Sequence, residues 1–150
     1  MTTTLLRGRT LSFQRWPETI DDASAYTYEE DGALLLRDGA IVAAGSYADV
    51  AAKAGDGART IDHRPHLLLP GFIDAHVHFP QMQVIASYGA ELLDWLNTYT
   101  FPEETKFANT QHGRRIARLF LDETVRHGTT TVAAYCSVHK ESGGVLRRIA

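Results

Sequence analysis

The sequence predicts an α/β protein in two parts: a β-rich part over residues 1–68, and a part over residues 69–150 in which strands alternate with helices. Three observations support this prediction. The dipeptide Asp38-Gly39 separates two apolar runs, as in a β-hairpin. Residues 72–78 have the composition of a buried strand. A long helical pattern over 110–127 is followed by a run of β-branched residues.

Within the β-rich part, residues 5–13 alternate loosely between apolar and polar side chains, and residues 33–45 have a hairpin pattern. The dipeptide at the hairpin centre suits a type I′ turn, which requires positive φ at both positions. Residues 47–54 fit a short helix. Strand character resumes on both sides of Pro65, which we expect to break the strand because proline lacks a backbone N–H.

Residues 14–31 carry several acidic side chains and few aliphatic ones. A charge run of this type is usually a solvated loop, and we predict a loop here. The alternative is a contact with another subunit or partner, made by Trp16 and Tyr26.

The second part begins with a strand and continues with two helical patterns. Residues 91–99 place apolar side chains at helical spacings of three and four, and we assign Trp95 to packing. The pattern over 110–127 is the clearest helix, with Gly128 placed to terminate it as the C′ residue. Residues 129–138 are rich in β-branched side chains, as a buried parallel strand should be.

His76 and His78 are the strongest candidates for a functional site. Side chains on one face of a strand recur every second residue, so both imidazoles project from the same face about 6–7 Å apart along the strand. Two such imidazoles can bind one divalent ion of the zinc or iron type. Asp74 shares this face and could orient an imidazole. The opposite face is apolar and consists of Ile73, Ala75 and Val77.

The remaining five histidines have weaker claims to a site. His63 and His66 flank a proline and are predicted to lie on the surface. His112 is expected to be exposed near the start of its helix. His127, in the last turn of that helix, suits the carbonyl end of the helix dipole. His139 follows a strand end, where it could contact a substrate or hold a loop.

The segment Pro70–His78, which reads Pro-Gly-Phe-Ile-Asp-Ala-His-Val-His, resembles the first barrel strand of the amidohydrolase superfamily. Gly128–Val132 resembles the second barrel strand of that superfamily. The stretch from Phe79 through Trp95 to Glu103 is similar to the guanine deaminase branch and less similar to the cytosine, adenosine or triazine branches.

The resemblance implies a metal-dependent hydrolase (β/α)₈ barrel, of which residues 69–150 hold only the first two β/α units. Residues 1–68 would then form the N-terminal part of a small β-sandwich. A barrel of this kind needs about 250 residues, and this chain has 150. We therefore expect these residues to be the N-terminal part of a longer polypeptide; the alternative is a genuinely short protein.

The resemblance also implies a site. His76 and His78 would bind one zinc ion, or iron, and the loop over 79–90 would face the substrate, guanine. Gln81 is the main candidate for contacting the base, because a carboxamide presents a donor and an acceptor side by side, as a purine edge does. His78, Phe79 and Pro80 are further candidates.

No catalytic residue is assigned within this segment, because the superfamily places its general acid/base, a glutamate, and its remaining metal ligands on later strands. These residues are expected beyond Ala150, the last residue of the sequence. Two hypotheses stay open beside a guanine deaminase of purine catabolism. One is another amidohydrolase, acting on an aminated or halogenated ring. The other is a barrel that retains the scaffold without catalysis and works as a binding module.

Composition excludes several classes of partner. The net charge is −3, which gives no electrostatic footprint for nucleic acid or an anionic membrane. No apolar run reaches the length of a membrane span.

The single cysteine, Cys136, suits a reducing cytoplasm. The P-C-x-x-C motif of the other zinc deaminase class is missing, because the only cysteine follows a tyrosine. The resemblance further implies a homodimer.

Overall fold

The computed structural model describes residues 2–149, which divide into two compact units with the boundary between Pro70 and Gly71. The first unit contains β1 (Thr3–Phe13), β2 (Tyr26–Arg37), β3 (Ala40–Ser46), α1 (Tyr47–Ala51) and β4 (Arg59–Leu68). The second contains β5 (Phe72–His78), α2 (Leu92–Trp95), α3 (Phe101–Thr105), α4 (Thr110–Arg126), β6 (Thr129–Tyr135) and α5 (Lys140–Ile149). Short 3₁₀ turns lie at Ala23–Ala25, Phe79–Val84 and Lys106–Ala108, and a π turn at Leu96–Thr100.

The general acid/base was expected beyond Ala150, and Ala150 itself lies outside the described residues. The position of that glutamate and of the further metal ligands therefore stays a prediction.

The first unit is a four-stranded sheet in the order β3-β2-β1-β4, with β1 antiparallel to β2 and parallel to β4. Its core forms where Val50 of α1 packs against Leu5, Ala33 and Leu35. The predicted hairpin is confirmed, since β2 and β3 are joined by Asp38 at φ 49° and Gly39 at φ 86°. The predicted short helix is also present as α1, and the Ser46 side chain caps it by accepting from the Asp49 N–H.

Pro65 does not break the strand, and this prediction was wrong. Strand β4 runs through it, because the sheet accommodates the proline in a bulge. While β1 advances from Arg7 to Arg9, β4 advances from Asp62 to Leu67. The Arg9 guanidinium donates two hydrogen bonds, of 3.0 and 2.6 Å, to the Pro65 carbonyl and so satisfies an acceptor in the bulged segment.

The predicted loop over 14–31 was only partly correct. Strand β2 begins at Tyr26, so Glu29, Glu30 and Asp31 lie on a strand paired with β1. Charge does not prevent this pairing because Arg7 lies beside Asp31, with Nη2 and Oδ2 2.6 Å apart. Trp16 is 88% exposed and Tyr26 42% exposed. A partner contact through these two aromatic residues stays a prediction.

The second unit pairs β5 with β6 in parallel. Its core contains the buried side chains Phe79, Phe107, Ile116, Ala117, Phe120 and Val145, against which Val77 of β5 and Val132 of β6 also pack. Helix α4 confirms the prediction for 110–127. It begins after Asn109, whose side chain accepts from two backbone N–H groups of the first turn, and Gly128 follows its end at φ 81°.

Three features of the second unit differ from expectation. Strand β6 ends at Tyr135 rather than at 138. The helical segment begun by α2 continues past Tyr99 through the π turn and α3 to Thr105. His112 is not exposed, because its ring packs edge-on against Phe107 with a centroid distance of 5.0 Å. Burial lowers the pKa of His112 below its ordinary value.

Neither sheet closes on itself within residues 2–149. In the same range, every helix is too short or too polar to cross a membrane.

Candidate functional site

A β-bulge lies in the strand that carries the two candidate histidines. Asp74 pairs with Val132 and Val77 with Ala134, so β5 advances three residues while β6 advances two. A bulge leaves a residue unpaired in the ladder and changes the direction of nearby side chains. The carboxylate of Asp74 accepts a hydrogen bond of 3.1 Å from the backbone N–H of His76, within the bulge. Asp74 therefore supports the backbone of His76, whereas we expected it to orient an imidazole.

His76 and His78 converge at the C-terminal end of β5. Their Nε2 atoms are 3.3 Å apart, and their ring centroids are 5.2 Å apart with the planes inclined by 49°. The separation expected from the strand repeat alone is about 6–7 Å. The rings are thus tilted toward each other, which brings their Nε2 atoms close together.

Tyr135, the last residue of β6, is the neighbour of both imidazoles. It pairs with His78 in the parallel register, which places it on the same face. Its ring stacks on His78 with a centroid distance of 4.8 Å and an interplanar angle of 13°. Its ring also contacts that of His76, with a centroid distance of 4.6 Å. Aromatic contacts of this geometry contribute about 0.5–1.5 kcal/mol beyond burial, so Tyr135 restrains both rings.

The separation of the two Nε2 atoms suits a shared metal ion. Zinc–imidazole bonds are about 2.0–2.1 Å long, so two nitrogens bound to one tetrahedral ion lie about 3.3–3.4 Å apart. The observed 3.3 Å fits this value. It also fits a hydrogen bond from the N–H of one neutral imidazole to the other ring. Within residues 2–149, no group of three or more His, Cys, Asp or Glu side chains is arranged to hold a metal.

A cavity of about 620 Å³ adjoins the imidazoles. Its lining includes His76, His78 and Gln81, and apolar side chains that include Met82, Ile85 and Trp95. Apolar walls with a few convergent polar groups are typical of small-molecule sites. The structure thus brings Gln81 to the same cavity as the two histidines.

Gln81 lies in the 3₁₀ turn that follows β5, and its side chain is already engaged on one side. Its Nε2 donates a hydrogen bond of 3.0 Å to Oε1 of Glu104 in α3. The indole N–H of Trp95 donates to the Ser87 carbonyl at 3.1 Å, which ties α2 to the loop over 79–90, and its side chain lines the cavity. The loop that faces the cavity is therefore held to the helical segment at two points.

Phe79 and Pro80 are buried, unlike a residue that contacts a substrate in an open cavity. Phe79 stands edge-on to Phe107, with a centroid distance of 5.4 Å, and belongs to the core. This arrangement gives both residues a packing role and makes Gln81 the first side chain after His78 that lines the cavity.

Of the other histidines, His127 lines the same cavity as His76 and His78. Nδ1 of His127 is 2.8 Å from the Glu123 carbonyl at the end of α4, as the helix-dipole argument predicted. His66 is exposed, and His63 is half-buried in β4. The backbone carbonyl of His139 accepts from Ser142 at the start of α5, and a contact of its imidazole with a substrate stays a prediction.

Sequence reasoning missed the roles of Tyr135 and Glu104. Tyr135 could have been found by its position, because the ends of neighbouring parallel strands meet at one edge of the sheet. Glu104 gave no such signal, because it is 23 residues from Gln81 and its approach depends on how the helical segment folds back.

The chain is similar in sequence and in structure to guanine deaminases. The chain is 37% identical over 130 residues to the guanine deaminase of Escherichia coli strain K12. The aligned region covers 87% of this chain and 29% of that protein. Its structure superposes on the crystal structure of guanine deaminase from Bradyrhizobium japonicum with a TM-score of 0.94 and 34% identity, covering 100% of this chain and 33% of that one.

A third comparison is with the structure of guanine deaminase from C. acetobutylicum with bound guanine in the active site. The TM-score is 0.79 and the identity 29%, over 99% of this chain and 33% of that one. The chain thus spans about a third of the length of the relatives it resembles. The model of the amidohydrolase family matches residues 67–149, more than half of the sequence. The protein therefore belongs to the amidohydrolase family.

Proposed function

We propose that these 150 residues are the N-terminal part of a metal-dependent guanine deaminase. The reaction would be hydrolysis of the 2-amino group, in which guanine and water give xanthine and ammonia. The observation that carries the proposal is the convergence of His76, His78 and Gln81 on one cavity. The similarity to guanine deaminases, one of them with bound guanine, supports this choice of substrate.

His76 and His78 would hold one divalent ion through their Nε2 atoms, with zinc as the first choice and iron as the second. The chemistry that such an ion supplies is to lower the pKa of a water molecule so that hydroxide is available near neutral pH. The bulge at Ala75 and His76 and the ring of Tyr135 would keep both nitrogens aimed at one point. The remaining ligands and the glutamate acting as general acid/base would come from later strands, beyond Ala150.

Gln81 would bind the base. One N–H of the Gln81 amide donates to Glu104. Its second N–H and its Oε1 acceptor therefore stay available on the cavity side. These two groups match an adjacent acceptor and donor on a purine edge. The apolar side chains beside them would contact the faces of the purine ring and exclude water.

The wider architecture belongs to the same proposal. Residues 69–150 would supply the first two β/α units of a (β/α)₈ barrel, and residues 1–68 part of a small β-sandwich. The complete protein would be a cytoplasmic homodimer.

An assay of the complete polypeptide tests the proposed function. Ammonia release would be measured with guanine, adenine, cytosine and a triazine, and xanthine would be identified by chromatography. Guanine is expected to be the preferred substrate, and a chelator should abolish activity that zinc or iron restores. Preference for another ring would indicate a different amidohydrolase, and no activity on any ring would favour a non-catalytic barrel.

A substitution at Tyr135 tests whether its ring restrains the imidazoles. Tyr135→Ala is expected to weaken zinc binding about tenfold, since groups that orient metal ligands contribute on this scale. Tyr135→Phe keeps the ring and should bind zinc like the wild type. Zinc affinity would be measured by competition with a chromophoric chelator, with circular dichroism to check folding. Equal affinities for the alanine and phenylalanine variants would exclude this role.

A further inference from the structure

We infer that Glu104 is a positioning residue that makes the site select 6-oxopurines over 6-aminopurines, by fixing which way round Gln81 presents its amide. The inference rests on the proposed function and goes beyond it, because it names the group that decides between two purine classes.

The first step is the geometry of the pair. Gln81 follows directly on β5, and Glu104 lies in α3. The hydrogen bond between them is partly buried, and Nε2 of Gln81 is 3.0 Å from Oε1 of Glu104. Gln81 lines the cavity and Glu104 does not. We therefore expect Glu104 to act on a ligand through its hydrogen bond to Gln81.

The second step is the chemistry of the two groups. An ionised carboxylate accepts hydrogen bonds and cannot donate one, whereas a carboxamide has one accepting and one donating end. The nitrogen of Gln81 must therefore face Glu104. If the amide turned over, Oε1 would face a carboxylate oxygen, and a hydrogen bond to a charged group would be lost. Without such a neighbour, the terminal torsion of glutamine is broad and both orientations are accessible.

In this inference, Gln81 lies against the purine edge formed by N1 and C6. In guanine, N1 carries a hydrogen and lies beside the 6-oxo acceptor. In 2,6-diaminopurine, N1 is an acceptor and lies beside a 6-amino donor. The two edges present the same pair of functions in opposite order. A carboxamide that can turn over binds either edge, whereas one held by Glu104 binds only one of them.

2,6-Diaminopurine is the probe that distinguishes the two orientations of the Gln81 amide. It carries the same 2-amino group as guanine, and its hydrolysis with water would give 6-amino-2-oxopurine and ammonia. The reacting carbon is thus unchanged, and only the edge read by Gln81 differs.

The decisive variant is Glu104→Gln. Its side chain has nearly the same shape, but its own amide can accept from Gln81 or donate to it, so either orientation of Gln81 is satisfied. Glu104→Ala removes the neighbour altogether. Glu91→Gln is the matched control, because Glu91 is an exposed acid whose side chain does not cap α2.

The experiment measures kcat and KM for both purines in the full-length protein, and the inhibition constant of 2,6-diaminopurine against guanine. The ratio of kcat/KM for guanine to that for 2,6-diaminopurine is expected to fall about tenfold in Glu104→Gln. KM should change more than kcat, while metal content and the melting temperature stay at the wild-type values. Glu104→Ala should show the same loss of selectivity.

The outcomes separate the two proposals. An unchanged ratio in Glu104→Gln, with guanine hydrolysis intact in the wild type, overturns the role of Glu104 and leaves the proposed function standing. A wild-type protein that does not hydrolyse guanine overturns the proposed function and this inference with it. A similar fall in the ratio for Glu91→Gln would show that the effect does not arise from Glu104.

Discussion

Alanine substitution of His76 or His78 is expected to remove most of the bound metal from the full-length protein and nearly all of its guanine hydrolysis. The two Nε2 atoms are 3.3 Å apart, so in the proposed site each would provide one of the few bonds to the ion. Catalytic zinc usually has three protein ligands, and loss of one leaves an incomplete set. Because residues that merely orient ligands are worth about 10–100-fold, the loss of a ligand should exceed about a hundredfold.

Elemental analysis of purified variants, with steady-state kinetics on the same samples, measures this effect. His66→Ala serves as the control, because His66 is an exposed histidine in the other unit. Zinc and iron contents equal to those of the wild type in both His76→Ala and His78→Ala would contradict the metal site. In that case the short separation of the two nitrogens would be a hydrogen bond between neutral imidazoles.

Truncation of Gln81 is expected to have the second largest effect. If its amide pairs with the purine edge, Gln81→Ala leaves polar atoms of the base unpaired in a largely apolar cavity. That loss costs about 1–3 kcal/mol, or roughly a tenfold to hundredfold decrease in kcat/KM for guanine. The metal ligands are untouched, so metal content should not change.

Gln81→Glu should be worse than Gln81→Ala. A carboxylate offers two acceptors and no donor, and at this position it would face the carboxylate of Glu104 across what is now a hydrogen bond of 3.0 Å. Gln83→Ala is the matched control, because Gln83 is an exposed glutamine in the same turn. A Gln81→Ala enzyme with wild-type kcat/KM on guanine would exclude the assigned contact.

Much of the fold could be predicted from local signals. The hairpin at Asp38 and Gly39 and the helix ending before Gly128 each depend on residues close together in sequence, whose preferences for positive φ are strong. Pro65 was misjudged because the rule that proline ends a strand ignores the sheet. A bulge in an edge strand removes the need for the missing N–H, and Arg9 satisfies the carbonyl.

The site was predictable in its composition but not in its geometry. The spacing of His76 and His78 placed both on one face. The convergence of their nitrogens also depends on a bulge in β5 and on a tyrosine from the next strand. The contact of Glu104 with Gln81 could not be predicted from sequence patterns. It joins two segments that are separated by the π turn at Leu96–Thr100.

Strand β4 of the first sheet and strand β5 of the second sheet expose different kinds of residues. Strand β4, at one edge of the first sheet, carries a proline, a bulge and the ion pair between Asp62 and Arg64. These are the devices by which proteins discourage an edge from pairing with another chain.

Strand β5 lacks proline and basic residues other than its two histidines, and its single acid, Asp74, bonds to the backbone of its own strand. Phe72 and Ile73 on this strand are 60% and 73% exposed. The β5 edge thus has the character of a surface that must be covered. Any preparation that leaves this strand open is expected to aggregate through β5 more readily than through β4, and substitutions that raise solubility belong on β5.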